Sequence, residues 1–510
     1  MKCSRVPLFA LLGTLGGCGG MDNNTMSTPP APPPAATPQR GDLIDNPPVK
    51  VSSLAPSDLL ALLGGSDVGK LLLQLSYTPK CSITVYHLTY QTVDPQGNIT
   101  PASGALMVPS GSDSGCTGGR PLVLYAHGTT TDRSFNIADI QASDNGEGLL
   151  LAAVFAAEGY IVVAPNYVGY DTSTLGYHPY LVADQQSKDM IDSLTAARTA
   201  LPTSDAPGST DGGKLFVTGY SQGGYVAMAT HSAMQSANMT VTASAPMSGP
   251  YALLAFADAV FQGQVNESGA VNGALLIVAY QKAYGDVYAS PGDAFASKYA
   301  SSIETLLPST TSVSDLQSQG MFPSALFDST PPDPSLAVYT PATQPALFAG
   351  VFAAGFGTDF LVINAFRGAY ISDSLAQPDG GFPAVTDGLP AASPTNKLRI
   401  HLKANDLRNW TPTAPVLLCG GNSDPTVYFF NTNLMQHYWA GHPPATAPVI
   451  LDIDSPVTAG DPYAALKSAF SAARDAVLAA GGEAAVLADY HAGLVPPFCL
   501  SAVKSFFDAH

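Results

Sequence analysis

Residues 214–229 read KLFVTGYSQGGYVAMA. The apolar run Leu215–Thr218 predicts a strand, the glycines predict a sharp turn, and the residues from Gln222 onward predict a helix, with Ser221 at the apex. Gly219-Tyr220-Ser221-Gln222-Gly223 matches G-x-S-x-G, the nucleophile-elbow pattern, in which a serine is held in a strained backbone between strand and helix. Glycine is needed at both ends because side chains at Gly219 and Gly223 would strike the neighbouring strand or helix. In a chain with 48 glycines the pattern is weak alone. Its weight comes from the strand before it, the helix after it and the lack of a second copy; the competing reading is a plain serine-bearing turn.

The chain has 510 residues, of which 46% are hydrophobic and 12% charged, so it is globular and large enough for one big domain or two to three small ones. A net charge of −18 without a basic patch excludes a nucleic-acid partner. The acidity favours solubility and weakly repels anionic substrates. At the N-terminus, Met1–Arg5 supplies positive charge and Val6–Leu15 is an apolar run too short to span a bilayer. Leu15-Gly16-Gly17-Cys18 resembles the lipobox of bacterial lipoproteins, which implies cleavage after residue 17 and lipidation of Cys18; an ordinary cleaved signal peptide is the alternative. Gly19 in place of Asp favours, by resemblance to enterobacterial sorting, the outer membrane or cell surface. Residues 18–48 then form a lipid anchor and a proline-rich tether (TPPAPPPAATP) that cannot build a core.

Six cysteines divide by position. Cys3 leaves with the leader and Cys18 carries lipid, so Cys81, Cys116, Cys419 and Cys499 remain. An even number in an exported chain predicts two disulfides, with four free thiols as the alternative. Cys81–Cys116 would bracket a hairpin, and Cys419–Cys499 would tie the ends of two late strands. No C-x-x-C or H-x-x-x-H spacing calls for a metal, and no cofactor is implied.

In chain order, residues 56–75 predict a short helix, and SITVYHLTYQTVDPQGNITPASGALMVP predicts a hairpin turning at Asp94–Asn98. From Arg120 buried strands alternate with helices, the mark of a mostly parallel, doubly wound sheet. Pro121–His127, Tyr160–Pro165, the elbow strand and Val241–Met247 are its strands; Gly146–Glu158, Asp184–Ala200 and Gln222–Ala237 are its helices. Residues 49–250 form the first part of the core. The alternation stops over 251–410, a stretch too long for a connection, which reads as a helical cap packed over the sheet edge. Residues 411–510 complete the core: a strand at Ala414–Gly421, a helix over Tyr428–Trp439, a short strand in PVILDID, a helix over Pro462–Ala480, a final strand at Ala484–Asp489, a loop carrying His491, and a closing helix.

A serine hydroxyl needs a base to take its proton and an acid to orient that base. Below a G-x-S-x-G serine the partners follow in the order acid, then histidine, each after a strand. Asp424 lies just past the strand that follows the cap, where the acid belongs; Asp452 and Asp454 are rivals because they also end a strand. Of nine histidines, His87, His127, His178 and His231 come too early and His401 precedes the acid strand. His437 and His442 lie on or beside the helix after Asp424, and His510 is terminal. Only His491 follows the last predicted strand. The oxyanion needs preorganised N–H donors, expected from Gln222 and, after His127-Gly128, from Thr129.

AHGT, VVAPNYVGYDTS, HPYLVADQQSKDMIDSLTAAR and VTGYSQGGYVAMA together resemble the secretory lipase group of α/β-hydrolases, the fungal lipase A type and its bacterial relatives. The match covers residues 120–250; the Asp424 and His491 loops fit the general fold, and the cap matches only in position and length. Asn166 departs from the Asp that relatives often carry after the proline. The resemblance implies an α/β-hydrolase fold with a large helical cap inserted before the catalytic-acid strand. It also implies a secreted serine esterase or lipase acting on small-molecule or lipid esters. A serine peptidase or amidase of the same fold, and a non-catalytic binding lipoprotein, are the alternatives.

Overall fold

The computed structural model describes residues 37–75, 77–142, 145–205 and 208–510. The leader, Cys18 and most of the tether lie outside the described residues. The hairpin forms as the alternation requires: β2 (Ser82–Val93) and β3 (Ile99–Ser110) pair antiparallel from Ser82↔Ser110 to Val93↔Ile99. Its turn is closed by Asp94, whose carboxylate accepts from the N–H groups of Gln96 and Asn98, while Gly97 takes φ +85°. An edge strand absent from the sequence reading, β1 (Val49–Leu54), pairs antiparallel with β2. Ahead of it residues 40–44 already touch this hairpin, with Leu43 bridging Tyr90 and the Gly41 N–H donating to the Gln91 carbonyl.

The parallel strands are β4 (Gly118–Ala126), β5 (Ile161–Pro165), β6 (Ser209–Tyr220) and β7 (Ala243–Met247). Residues 251–410 contribute a small parallel sheet of β8 (Ala325–Asp328), β9 (Phe356–Gly357) and β10 (Phe360–Val362), and the main sheet ends with β11 (Leu417–Gly420) and β12 (Val449–Asp452). The nine-stranded order is β1-β2-β3-β5-β4-β6-β7-β11-β12, antiparallel up to the β3/β5 pair and parallel beyond it. Each central strand alternates between two cores. Leu122, Leu124 and Ala126 face one apolar cluster, and Val123 and Tyr125 face the other.

Helices cover both faces. They are α1 (Pro56–Gly65), α2 (Asp67–Gln74), α3 (Gly146–Val154), α4 (Ala183–Ala200) and α5 (Gln222–Ser236). Residues 251–410 hold α6 (Leu253–Phe261), α7 (Gly269–Tyr284), α8 (Ile303–Leu306), α9 (Val313–Ser318), α10 (Ala349–Ala354), α11 (Asn364–Ala376) and α12 (Lys397–Ala404). This segment is therefore not purely helical, since the β8–β10 sheet runs through it.

The C-terminal region departs from the expected strand. Ala484–Asp489 is the end of a long helix, α14 (Ala464–Asp489), after α13 (Phe430–Gly441). The residues Ala-Ala-Val-Leu-Ala-Asp contain one β-branched side chain among strong helix formers, so local propensity prevails. Gly482, at φ +75° and ψ −174°, is not helical, so the first helix does end at Gly481-Gly482 as the sequence predicts, and a second helical stretch runs on from this kink to Asp489. Tyr490–Leu494 is then a single π-helical turn, and α15 (Val495–Asp508) closes the chain. Pro496 and Pro497 lack the N–H groups that would continue the α-helical ladder, which accounts for the widened turn just before them.

Candidate active site

Ser221 stands at the carboxyl end of β6 with φ +61° and ψ −122°, a conformation that non-glycine residues seldom adopt. Its N–H donates to the Met247 carbonyl at 3.0 Å. The flanking glycines are compulsory on steric grounds. A Cβ on Gly219 would lie 2.3 Å from the Gly223 oxygen, and one on Gly223 would lie 1.9 Å from the Ala126 oxygen. Gly224 is as constrained, with a Cβ position 2.1 Å from the Met247 oxygen.

The structure brings Ser221, His491 and Asp424 together. His491 Nε2 is 2.8 Å from Ser221 Oγ, and His491 Nδ1 is 2.7 Å from Asp424 Oδ2. The other oxygen of Asp424 accepts from the N–H groups of Thr426 at 2.8 Å and Val427 at 2.9 Å, which leaves Oδ2 for the imidazole. His491 reaches this position from the π turn rather than from a loop after a strand. The Tyr220 hydroxyl donates to the His491 carbonyl and fixes that turn to the elbow. The rival acids are occupied elsewhere. Asp452 accepts from the Asn422 backbone and side chain, and Asp454 from Arg474 and the Tyr490 hydroxyl.

Gln222 is the first residue of α5, so its N–H has no intrahelical acceptor. Neither that N–H nor the Thr129 N–H has a partner among the described residues. The side chain of Gln222 is held from behind. His178 donates from Nδ1 to the Val168 carbonyl, so its Nε2 accepts from the Gln222 amide at 2.6 Å. Burial pushes His178 down to about 3 and His127 down to about 4, so both stay neutral and structural. His127 braces the loop, its ring nitrogens lying against the carbonyls of Gly128 and Asn166.

Ser221 and His491 line a cavity of about 770 Å³. Leu253, Phe256, Val260, Phe261, Leu276 and Ile277 make much of its wall apolar. Two carboxylates, Glu147 and Glu267, also line it, and neither stood out in the sequence. Residues 264–267 are fastened to the Asp424 loop: the Glu267 N–H donates to the Pro425 carbonyl, the Asn266 amide to the Thr426 carbonyl, and the Tyr428 hydroxyl to the Gln264 carbonyl. A second cavity of about 410 Å³ shares Gly128–Thr131 and Glu147, and Ser309–Ser312 give it a hydroxyl-rich wall.

Away from the site, Cys81–Cys116 and Cys419–Cys499 are both disulfide-bonded, as the sequence predicts. No cluster of His, Cys, Asp and Glu suited to a metal occurs among the described residues.

A nucleophile elbow on a mostly parallel sheet, with an acid and a histidine supplied from later in the chain, gives the protein the arrangement of the α/β-hydrolase fold. The solved structures it resembles refine this. A mutant of the rice cell wall degrading esterase LipA from Xanthomonas oryzae is 26% identical over 92% of this chain and 99% of its own, with a TM-score of 0.67. A Legionella pneumophila protein shares the fold at 19% identity over 92% and 97%, with a TM-score of 0.61. Candida antarctica lipase A in its closed state matches more loosely, at 12% identity over 81% and 76%, with a TM-score of 0.45. The prolyl oligopeptidase family model matches residues 150–282. No curated protein matches the chain. The chain is thus a hydrolase by fold.

Proposed function

We propose that this protein is an exported serine carboxylic-ester hydrolase acting through an acyl-enzyme on Ser221. The observation that carries the reading is the hydrogen-bonded series Ser221–His491–Asp424 on the wall of an apolar cavity. Ser221 Oγ attacks the ester carbonyl as His491 Nε2 takes its proton, while Asp424 holds Nδ1–H and stabilises the imidazolium. The N–H groups of Gln222 and Thr129 receive the oxyanion. His491 then returns the proton to the departing alkoxide as the ester C–O bond breaks. A water molecule, deprotonated by His491, releases the acid and restores Ser221. The apolar wall suits an acyl chain and the hydroxyl-rich cavity suits the alcohol portion. Residues 251–410 serve as the cap that supplies the apolar wall. Two disulfides accord with export to an oxidising compartment, and Cys18 anchors the chain by lipid at the outer membrane or cell surface.

The test is hydrolysis of p-nitrophenyl esters from acetyl to palmitoyl by the wild type and by Ser221→Ala. The wild type should turn over, with a preferred chain length, and the variant should lose at least about 10³-fold in kcat. Absence of wild-type turnover on every ester overturns the reading. A peptidase or amidase is the second reading, favoured by the family match over residues 150–282 and by the Glu267 carboxylate in the cavity, which suits a substrate's amino terminus. Turnover of amides in preference to esters would select it.

A further inference from the structure

We propose that Glu147 is a positioning residue: its carboxylate holds the Gly128 peptide, and through it the adjoining Thr129 N–H, in the orientation that receives the oxyanion. The inference rests on the Ser221 ester-hydrolase reading. Glu147 is the second residue of α3, yet its carboxylate turns into the site. Both of its oxygens lie 3.1 Å from the Gly128 nitrogen, and Oε1 also accepts from the Tyr125 hydroxyl at 2.5 Å. Gly128 is enclosed between this carboxylate and the elbow. Its Cβ direction points to Glu147 Oε2 at 3.5 Å, the Tyr220 oxygen at 3.6 Å and Ser221 Cβ at 3.8 Å. A change in the grip on this peptide therefore moves the wall beside the nucleophile. Preorganised donors work only when their direction is fixed before charge develops.

The groups facing Glu147 are few. Tyr125 comes from β4, Tyr220 from the end of β6, Tyr167 from the segment after β5, and His491 from the π turn. No Lys or Arg lines the cavity among the described residues. Burial pushes the Glu147 carboxyl up to about 7, against the opposing pull of Tyr125, Gly128 and His491. The ionised form accepts from Gly128 with both oxygens. Protonation, which in the folded protein sets in as the pH falls through about 7, puts a donor on one of them and loosens the grip.

The experiment measures kcat and KM on one p-nitrophenyl ester from pH 5 to 9 for the wild type, Glu147→Gln and Glu147→Ala, alongside thermal melts. Glu147→Ala should lose about 10- to 100-fold in kcat with KM within about twofold, a fraction of the cost of deleting an oxyanion donor. Glu147→Gln still offers an oxygen to Gly128. It should retain kcat at pH 8 to within about tenfold and keep a larger share of that activity at pH 6 than the wild type does. If Glu147→Ala matches wild-type kcat, or the Glu147→Gln profile superimposes on that of the wild type, the proposal falls. Should Glu147→Ala not fold, the Glu147→Gln profile decides alone. A wild type without ester turnover defeats the Ser221 reading itself, a result distinct from either of these.

Discussion

At Ser221 the chain accepts a backbone conformation, φ +61° with ψ −122°, that costs of order 1–3 kcal/mol and lifts the hydroxyl clear of the sheet. The glycines around it leave no freedom to relax. A methyl group on Gly223 would overlap the Ala126 carbonyl at 1.9 Å, and that carbonyl belongs to the strand leading into the Gly128–Thr129 donor loop. The clash is with backbone, so no side-chain rotation removes it. Gly223→Ala should therefore displace β4 from α5, destabilise the protein by about 1–3 kcal/mol or more, and lower kcat sharply at temperatures where the fold survives. A thermal melt with matched ester kinetics checks this; wild-type Tm and kcat together would show that the elbow tolerates the shift. The sequence made this site legible because a fixed spacing encodes it. Glu147 was not legible, since a glutamate in the first turn of a helix reads as a complement to the helix dipole.

Between elements, residues 251–410 add buried ion pairs to their apolar packing. Arg399 of α12 forms a bidentate pair with Asp258 of α6, at 2.9 and 2.7 Å, and a further bond to Asp373 of α11 at 2.7 Å. Its side chain has no exposed surface. Arg408 does the same for Asp379 and Asp406. The Arg399–Asp258 pair joins the start of the segment to its end, and α6 carries Leu253, Phe256 and Phe261 into the cavity wall. Removing the guanidinium strands two buried carboxylates, so Arg399→Met should cost about 3–5 kcal/mol in denaturant unfolding. A loss below about 1 kcal/mol would show that water compensates the carboxylates. None of this was legible from the chain, because Arg399 and Asp258 are 141 residues apart and no period relates them. The parallel core, by contrast, announced itself through repeated buried strands and helices. The final strand misled although Gly482 does interrupt the helix, at φ +75° and ψ −174°. The residues after it are helix formers, and the chain resumes its helix beyond the kink. The sequence points to His491 because it follows that predicted strand; with the strand absent, the π turn after the kinked helix is what carries its ring to Asp424 and Ser221.

For the whole molecule, the three site residues are spread from 221 to 491, and only the assembled sheet with its helices brings them within hydrogen-bonding distance. The link between the second and third is covalent as well. Cys419 on β11 bonds Cys499 on α15, across 80 residues that include both Asp424 and His491. Cys419 also pairs with Met247 of β7, whose carbonyl accepts from the Ser221 N–H. One short path thus runs from the nucleophile's backbone through two strands to the helix that follows the base. Cys81–Cys116 spans 35 residues and braces the hairpin, outside this path. On chain entropy, loss of either bond should cost a similar amount, about 4 kcal/mol. Their effects on turnover should differ. Replacing Cys419 and Cys499 with serine should lower kcat even well below the melting transition, because α15 no longer fixes the π turn against β11. Replacing Cys81 and Cys116 should lower Tm while leaving kcat at low temperature near the wild-type value. Matched melts and kinetics on the two double variants decide the matter. Equal kcat in both would mean that packing of Phe470, Phe498 and Tyr490 alone holds the base in register.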